Sequence, residues 1–296
     1  MRITSFTIFN QLTRSLSDNL RSMSRLSNML ASGKKINNPS DDVPGMMKVM
    51  DYKVSINEIE QYRRNIDEAN QHLSYAETTM SSVTNALTRA GELANQASTG
   101  SQNADTRAAI AEEVANLRDE IMSLANSKFR NKYIFSGFRT DTESFDTGFN
   151  YQGDSGEVNV LIDRGAVMAI NIPGDEVFGS GATSIMSGLD SLYNALINTD
   201  DAVAQAGAQT AITTISDAVD QIANVRADIG ARLNRLDDRM RNMDDRNITL
   251  KTYLSEIEDT DIAGTISEIS KTEVALQSLR QSGAQVLSQS LLDFLR

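Results

Sequence analysis

Apolar residues recur at three- and four-residue spacings along most of the chain, a pattern that predicts long amphipathic helices. The first stripe predicts a helix from about Phe6 to Ala31, and its members are Leu12, Leu16, Leu20, Met23, Leu26 and Leu30. From Tyr52 onward, two apolar seams repeat every seven residues over about six heptads. At 1.5 Å per residue, this second helix is a rod of roughly 60 to 80 Å.

Three further helices follow the same logic. The segment STGSQNAD interrupts the rod, and Asn103 or Asp105 can cap a third helix after it. The longest heptad series lies nearer the carboxyl end and consists of Ile215, Ile222, Ile229, Leu236, Met243, Leu250 and Ile257. Its register slips at EDTDIAG, where Asp259 or Asp261 can cap a last helix. The stripe of that helix contains Ile262, Ile269, Leu276, Leu279 and Val286.

The pattern changes after Lys132, where aromatic and β-branched residues are separated by glycines and acidic turns. The segments YIFSG, FNYQG, EVNVLID and VMAINIPG are typical of short strands. They predict a small β-rich insert over about residues 137–181. The chain leaves this insert through a short helix that carries Ile185, Leu189, Leu192 and Leu196.

This order of elements predicts a mainly α protein, a long antiparallel heptad-repeat helical rod built from both chain ends with a small β-rich insert in the middle. Heptad seams need partners, and antiparallel pairing of the two long helices brings the chain ends together. We expect a terminal helical domain of residues 1–41 and 261–296, a helical rod domain of residues 42–136 and 182–260, and the insert at 137–181.

Composition supports long helices and restricts the chemistry available to the chain. Aromatic residues make up 5% of it and Trp is absent, which favours long helices over a thick globular core. The net charge of -12 disfavours nucleic-acid binding, because phosphate contacts need a basic surface. The absence of cysteine excludes disulfides, thiolate metal sites and cysteine nucleophiles.

The first residues do not form a targeting signal of the usual kind. The segment MRITSFTIFNQLTRSL lacks the apolar core of a secretory signal, and no apolar run approaches the length of a membrane span. Residues 1–40 are locally basic, which on a helix is typical of a solvated face. If the protein leaves the cell, we expect it to do so without a cleaved peptide.

Catalytic and metal-binding patterns are poorly represented. His72 is the only histidine, so it cannot belong to a histidine cluster, and we expect it on a surface flank of the rod beside Leu73. Glu112 and Glu113 are adjacent on a helix and point apart. We therefore expect no catalytic, cofactor-binding or metal-binding residues, with a carboxylate-only hydrolase in the β insert as the enzymatic alternative.

The chain ends carry more apolar surface than two helices can cover for each other. Beyond the stripe of the last helix, further apolar residues follow at Leu287, Leu291, Leu292, Phe294 and Leu295. A terminus ordinarily frays, and ordering it costs conformational entropy. We therefore predict that both ends are disordered in the monomer and fold on assembly, when a partner covers them.

The segment LASGKKINNPSDDVPGMM turns the chain between the first two helices. Gly33 suits the left-handed residue after a helix, and Pro39 prevents the helix from continuing. Ser40, Asp41 and Asp42 can then cap the next helix. Because the segment lacks the glycine spacing of a phosphate loop and the ligand spacing of a calcium loop, we interpret it as a hinge that orients two rods.

The corner and both chain ends resemble the flagellin superfamily. Its hallmark is an amphipathic helix, then a Ser-Gly-Lys-or-Arg-Ile-Asn corner and paired aspartates, at positions that here are Ser32, Gly33, Lys34 or Lys35, Ile36, Asn37, Asp41 and Asp42. The segments QYRRNIDEANQHLSYAETTMSSVTNALTRAGELANQAS and IEDTDIAGTISEISKTEVALQSLRQSGAQVLSQSLLDFL are also similar to that family. Within it, NKYIFSGFRTDTESF is similar to the branch that connects hook and filament, and a minor flagellin is the alternative.

This resemblance implies a structural subunit of the bacterial flagellum, exported by the flagellar type III apparatus and located outside the cell. It implies four partners: further copies of the chain, a FlgK-like junction protein, flagellin and a FlgN-like export chaperone. The implied assembly interface comprises the two terminal stripes together with Leu291, Leu292, Phe294 and Leu295. The chaperone-binding candidates are Leu279, Val286, Leu287 and Leu291.

Overall fold

The computed structural model describes residues 5–99 and 103–294, with side chains over 7–99 and 103–285. The helices are α1 Ser5–Ser32, α2 Val43–Ser98, α3 Ala104–Ala125, α4 Gly174–Phe178, α5 Ile185–Leu196, α6 Asp201–Glu258 and α7 Ile262–Phe294. The strands are β1 Lys128–Phe129, β2 Lys132–Tyr133, β3 Asn159–Asp163 and β4 Ala166–Ala169. The predicted mainly helical fold with a small β-containing insert is confirmed. Within the described ranges, none of the helices is both long and apolar enough to cross a bilayer.

The chain forms two compact units. Unit 1 contains Met1–Glu58 and Asp245–Arg296, and unit 2 contains Ile59–Asp244. Helices α2 and α6 contribute to both units, because each runs through a boundary between them. The finer division into three domains stays a prediction.

The heptad seams of α2 and α6 form the core of unit 2. The α2 seam is buried at Ile59, Ile66, Leu73, Met80, Leu87 and Ala94, and the α6 seam is buried from Ile215 to Met243 at each heptad position. Polar pairs give the direction of the two helices. Arg226 binds Glu77 through two guanidinium nitrogens, whereas Arg63 pairs with Asp244 at 3.2 Å. As residue numbers increase along α2 from Arg63 to Glu77, the numbers of their partners on α6 decrease from Asp244 to Arg226. The two helices are therefore antiparallel, as predicted.

The insert has less sheet than the sequence predicts. Strands β1 and β2 form one antiparallel hairpin and β3 and β4 form another, while YIFSG and FNYQG are mostly turns. Phe135 of YIFSG belongs to a buried aromatic cluster, in which Phe178 of α4 lies edge-on to Phe135 at 5.2 Å and to Phe145 at 5.6 Å. The aromatic residues of YIFSG and FNYQG favour strands by composition, but aromatic rings also fill buried turns, so composition alone does not distinguish the two.

Unit 1 is built around the packing of α1 along α7. Its small apolar core includes Ile36, Val49, Ile56 and Leu276, all less than a tenth exposed. The core lies close to the two places where the chain turns between helices. Those turns contain the family motif and are described next.

Candidate functional site

Two corners turn the chain in unit 1. The first corner, residues 33–42, connects α1 to α2, and the second corner, residues 259–261, connects α6 to α7. Gly33 ends α1 with a φ of 70°, the left-handed conformation that its sequence position predicts. The Ser32 hydroxyl accepts a hydrogen bond from the Lys34 N–H at 3.1 Å and so tightens the turn.

Backbone hydrogen bonds join the two corners directly. The Lys35 N–H donates to the Glu258 carbonyl at 2.6 Å, and the Thr260 N–H donates to the Gly33 carbonyl at 3.0 Å. This short antiparallel pairing links residues more than 220 positions apart. Each corner therefore supports the conformation of the other.

The Glu258 carboxylate holds the corners together through two lysines. Its Oε1 lies 2.6 Å from Lys53 Nζ and 2.9 Å from Lys34 Nζ, and the carboxylate side chain is 7% exposed. Burial by itself raises the pKa of Glu258, but the hydrogen bonds and charges of the two lysines outweigh burial and hold that pKa below its usual value. The same contact raises the pKa of Lys34. One acid thus connects the first corner to α2.

The paired aspartates of the motif have different tasks. Asp41 Oδ2 accepts hydrogen bonds from the N–H groups of Asn38 at 2.9 Å and Asn37 at 3.2 Å, which lower the pKa of Asp41. Asp42 Oδ1 accepts from the Gly45 N–H at 3.1 Å and caps α2. Of the residues expected to cap this helix, Asp42 does so, while Asp41 closes the preceding loop.

The remaining motif residues fill the inside of the first corner. Ile36 is 4% exposed and packs against the first turn of α2, where a β-carbon on Gly45 would lie 2.7 Å from the Ile36 methyl group. The Asn37 side-chain amide donates to the Lys34 carbonyl at 3.0 Å. The first corner is therefore stabilised by the buried Ile36 side chain and by the Asn37 side-chain hydrogen bond.

Sequence reasoning missed three residues of this arrangement: Glu258, Lys53 and Gly45. One signal was available, because an acid at the carboxyl end of a helix faces the negative end of the helix dipole and needs a cation nearby. Lys34 and Lys35 supply basic residues in the motif, yet their partner lies far away in sequence. Only the fold brings Glu258 to Lys34.

The predicted assembly stripes on α1 and α7 are partly covered by each other. Leu276 is buried, and the half-buried members are Leu12, Leu16, Met23, Leu26, Ile269 and Leu279. Leu20, Leu30 and Ile262 remain exposed. The side chains of Val286, Leu287, Leu291, Leu292, Phe294 and Leu295 lie outside the described residues. Their proposed roles in assembly and chaperone binding stay predictions.

Unit 1 also exposes apolar residues that the sequence analysis did not single out. Val43, Met47, Met50 and Val54 repeat at helical spacing on α2 and are each more than half exposed. We call them the α2 stripe. Thirteen of the nineteen large apolar side chains that are exposed within the described residues belong to unit 1, although it is the smaller unit.

The single histidine does not sit on an open flank as expected. The His72 ring is half-buried in unit 2 and packs edge-on to Phe129 at 5.8 Å. Across residues 5–99 and 103–294, no group of three or more His, Cys, Asp or Glu side chains is arranged to hold a metal ion.

Comparison with known proteins identifies the family to which this chain is similar. The bacterial flagellin N-terminal helical region matches residues 3–140, and the bacterial flagellin C-terminal helical region matches residues 212–295. The chain is 27% identical to flagellar hook-associated protein 3 of Salmonella typhimurium over the full length of both. It is 30% identical to flagellin of Listeria innocua over 93% of this chain and 90% of that one.

A solved structure shares the fold. The crystal structure of Bacillus cereus FlgL superposes with a TM-score of 0.60 at 24% identity, over 69% of this chain and 99% of that one. The family regions contain both corners, the terminal helices and most of the long heptad helices. The chain belongs to the flagellin family.

Proposed function

We propose that this chain is a structural, non-enzymatic subunit of the bacterial flagellum that joins the hook to the filament. Full-length similarity to hook-associated protein 3 supports this role. The location that follows is the hook-filament junction, outside the cell.

The observation that carries the proposal is the concentration of exposed apolar residues in unit 1. A monomeric protein seldom exposes apolar side chains in a repeated stripe, because such a surface promotes association. Here such residues occur on α1, the start of α2, the end of α6 and α7. Neighbouring subunits would remove these faces from water, which favours polymerisation through the hydrophobic effect.

The terminal helices are the part of unit 1 that we expect to change on assembly. The α1 stripe has α7 on one side and still leaves Leu20 and Leu30 exposed. Further apolar surface on this stripe would be buried only in the polymer. We propose that both terminal helices become ordered when neighbours cover them.

Four partners follow from this role: other copies of the chain, a FlgK-like protein on the hook side, flagellin on the filament side, and a FlgN-like chaperone before export. The chaperone would bind the carboxyl-terminal apolar residues and shield them from premature association. Export would proceed through the flagellar type III apparatus without a cleaved peptide.

Deletion of the gene tests the proposal. We expect complete hooks, no filaments and flagellin released into the medium, because flagellin would have no junction on which to polymerise. Electron microscopy of cells and immunoblotting of the medium provide the readouts. A plasmid copy of the gene should restore filaments.

A minor flagellin is the second candidate, supported by the 30% identity to a flagellin. The same deletion separates the two roles. Filaments that still form on the mutant hooks would support the minor flagellin and exclude the junction role.

A further inference from the structure

The only histidine of the chain connects α2 to two other segments of unit 2. Its ring packs edge-on to Phe129 of the β1–β2 hairpin at 5.8 Å. His72 also lines a cavity of about 310 Å³ between these segments. Ile170, just after β4, lines the same cavity as His72, and its backbone acts to raise the pKa of the ring. The imidazole is thus a contact shared by a helix, a hairpin and the exit from a second hairpin.

The β1–β2 hairpin depends on α2 for its conformation. Each strand has two residues, and the connecting Arg130 and Asn131 have φ values of 49° and 67°. The left-handed conformation is unfavourable for Arg130, although asparagine tolerates it, and an isolated hairpin is marginal in water. The contacts with α2 therefore stabilise a turn that would otherwise open easily.

Both polar and aromatic contacts fix the hairpin on α2. The Phe129 ring lies 5.4 Å from the Tyr75 ring as well as beside His72. The Arg130 guanidinium donates to Gln71 Oε1 at 2.7 Å and reaches Glu68 at 3.4 Å. His72 lies between these two groups of contacts on the helix, so a change at its ring affects the whole attachment.

The surroundings of the ring suit neutral imidazole and do not suit imidazolium. His72 Nδ1 is buried and has no hydrogen-bond partner among the described residues. A neutral ring leaves this nitrogen as a lone pair, whereas protonation would bury an N–H donor without an acceptor, which is unfavourable. The ring would then carry its charge in a mostly apolar site.

The charged groups around the cavity do not offset that penalty. On α2, Glu68 is the neighbouring acid, and it is exposed and already pairs with Arg130. The hairpin contributes Lys132 to the lining, and its Tyr133 hydroxyl donates to Glu143 at 3.1 Å. Lys128 of the same hairpin lies over the Tyr133 ring. The other lining residues are uncharged: Ile134, Gly137, Phe138, Thr140, Val158 and Asn171, besides those named above.

We propose that His72 is an acid-sensitive latch that holds the β1–β2 hairpin and the segment after β4 on α2 when neutral and releases them when protonated. This device is independent of the junction role, since it requires only the described contacts within unit 2. It would let mild acid loosen one end of the insert while the heptad seams of α2 and α6 stay closed.

The direction of the pH dependence follows from proton linkage. Burial lowers the pKa of His72, although the Ile170 backbone and the charge of Glu68 oppose that shift. In the released hairpin the ring is exposed, with an ordinary pKa of about 6.5. The open form therefore binds more protons below that pH, so closure is strongest at neutral pH and weakens as the pH falls toward the lower pKa of the closed form.

Amide exchange at pH 7.5 and 5.5 tests the latch, with His72→Gln as the reference at each pH. Glutamine keeps an amide donor at this position but does not titrate, and the comparison at equal pH cancels the pH dependence of the intrinsic amide exchange rate. At pH 5.5 we expect residues 128–134 of the wild type to lose protection relative to the variant, by at most about tenfold, because this pH lies about one unit below the pKa of an exposed histidine. The ratio of protection between the two proteins at pH 7.5, where His72 is neutral, is the reference for the ratio at pH 5.5.

A double variant, His72→Gln with Ser74→His, provides the control, because Ser74 is exposed on the same helix. A histidine there should titrate without loosening the hairpin. Exchange on α6 at Ile222 and Ile229 reports on the helical core and should remain slow in every protein. The latch is excluded if the hairpin stays protected at pH 5.5 in the wild type, or if His72→Gln loses protection to the same extent. Should His72→Gln be unstable at pH 7.5, His72→Phe replaces it with the same expected outcome.

Discussion

The carboxylate of Glu258 lies 2.6 Å from the ammonium group of Lys53, across the junction between the end of α6 and the start of α2. The acid occupies the last position of its helix, where unpaired carbonyls make a negative charge unfavourable. A cation is needed at this point, and Lys53 provides it together with Lys34 of the first corner. The contact therefore stabilises both the helix end and the corner motif.

Replacing Glu258 by Gln should destabilise unit 1. The substitution removes the negative partner of two lysines while keeping side-chain volume, and loss of such a buried hydrogen-bonded group costs about 1 to 3 kcal/mol. Urea unfolding followed by exchange at the two corners and at the start of α2 measures the change. Glu256→Gln, an exposed neighbour on the same helix, should change stability by less than about 0.5 kcal/mol. Equal effects of the two substitutions would contradict the role given to Glu258.

The stability of unit 1 should fall in acid because of the same carboxylate. Its pKa is lowered in the folded protein, so the unfolded chain binds more protons once the pH approaches the ordinary glutamate value of about 4.3. The contribution is complete above that value and is lost as the pH falls through the folded pKa. Unfolding midpoints of wild type and Glu258→Gln should therefore begin to converge below about pH 5 and continue to do so as the pH falls through the lowered pKa of the folded protein. A constant difference over this range would disprove the linkage.

Two glycines of the corner should respond differently to alanine. At Gly33 a β-carbon would touch nothing within 4 Å, so Gly33→Ala costs only the left-handed backbone, about 1 to 2 kcal/mol. Gly33→Asn should lose less, because asparagine tolerates that conformation. Gly45→Ala should lose more than Gly33→Ala, since its β-carbon collides with the Asp42 carboxylate that caps α2. Thermal unfolding of the three variants gives the order, and an asparagine variant less stable than the alanine variant would contradict it.

The sequence alone predicts those elements whose conformation is determined by neighbouring residues in the chain. Heptad spacing identified α2 and α6, and single residues identified the helix ends, such as Asn103, whose side chain accepts from the Thr106 N–H at 2.8 Å. The left-handed conformation of Gly33 was also predictable, because it depends only on the end of the adjacent helix α1.

Features that depend on distant partners were not predictable. Glu258 is one of many acids in the sequence until the fold places it beside Lys34 and Lys53. The α2 stripe escaped notice because three of its four residues lie before Tyr52, where the regular heptads begin, and Val54 lies on neither heptad seam. In the insert, Phe135 and Phe145 fill a core without forming long strands, so alternation of residue types overstated the sheet.

The monomer should show little protection of α1 against amide exchange. Most of its apolar stripe is only half covered by α7, and so packing adds little stability to a long, polar-rich helix. We expect residues 7–30 to exchange quickly in dilute protein and slowly in assembled particles, as measured by exchange with mass spectrometry. The α6 core at Ile222 is the internal control and should be slow in both. Strong protection of α1 in dilute monomer would contradict ordering on assembly.

The α2 stripe should matter for assembly and hardly at all for the monomer. Met47 and Met50 are 64% and 55% exposed, so changing both to Gln removes little packing, and the unfolding free energy should stay within about 0.5 kcal/mol of wild type. In the polymer the same change would place polar groups against an apolar neighbour, and desolvating them is unfavourable. Cells that carry the double variant in a deletion background should therefore lose filaments while still exporting the protein. Val167→Gln, at a comparably exposed valine of unit 2, is the matched control and should leave filaments intact. Normal filaments with the double methionine variant would show that this face of α2 does not contact a neighbouring subunit.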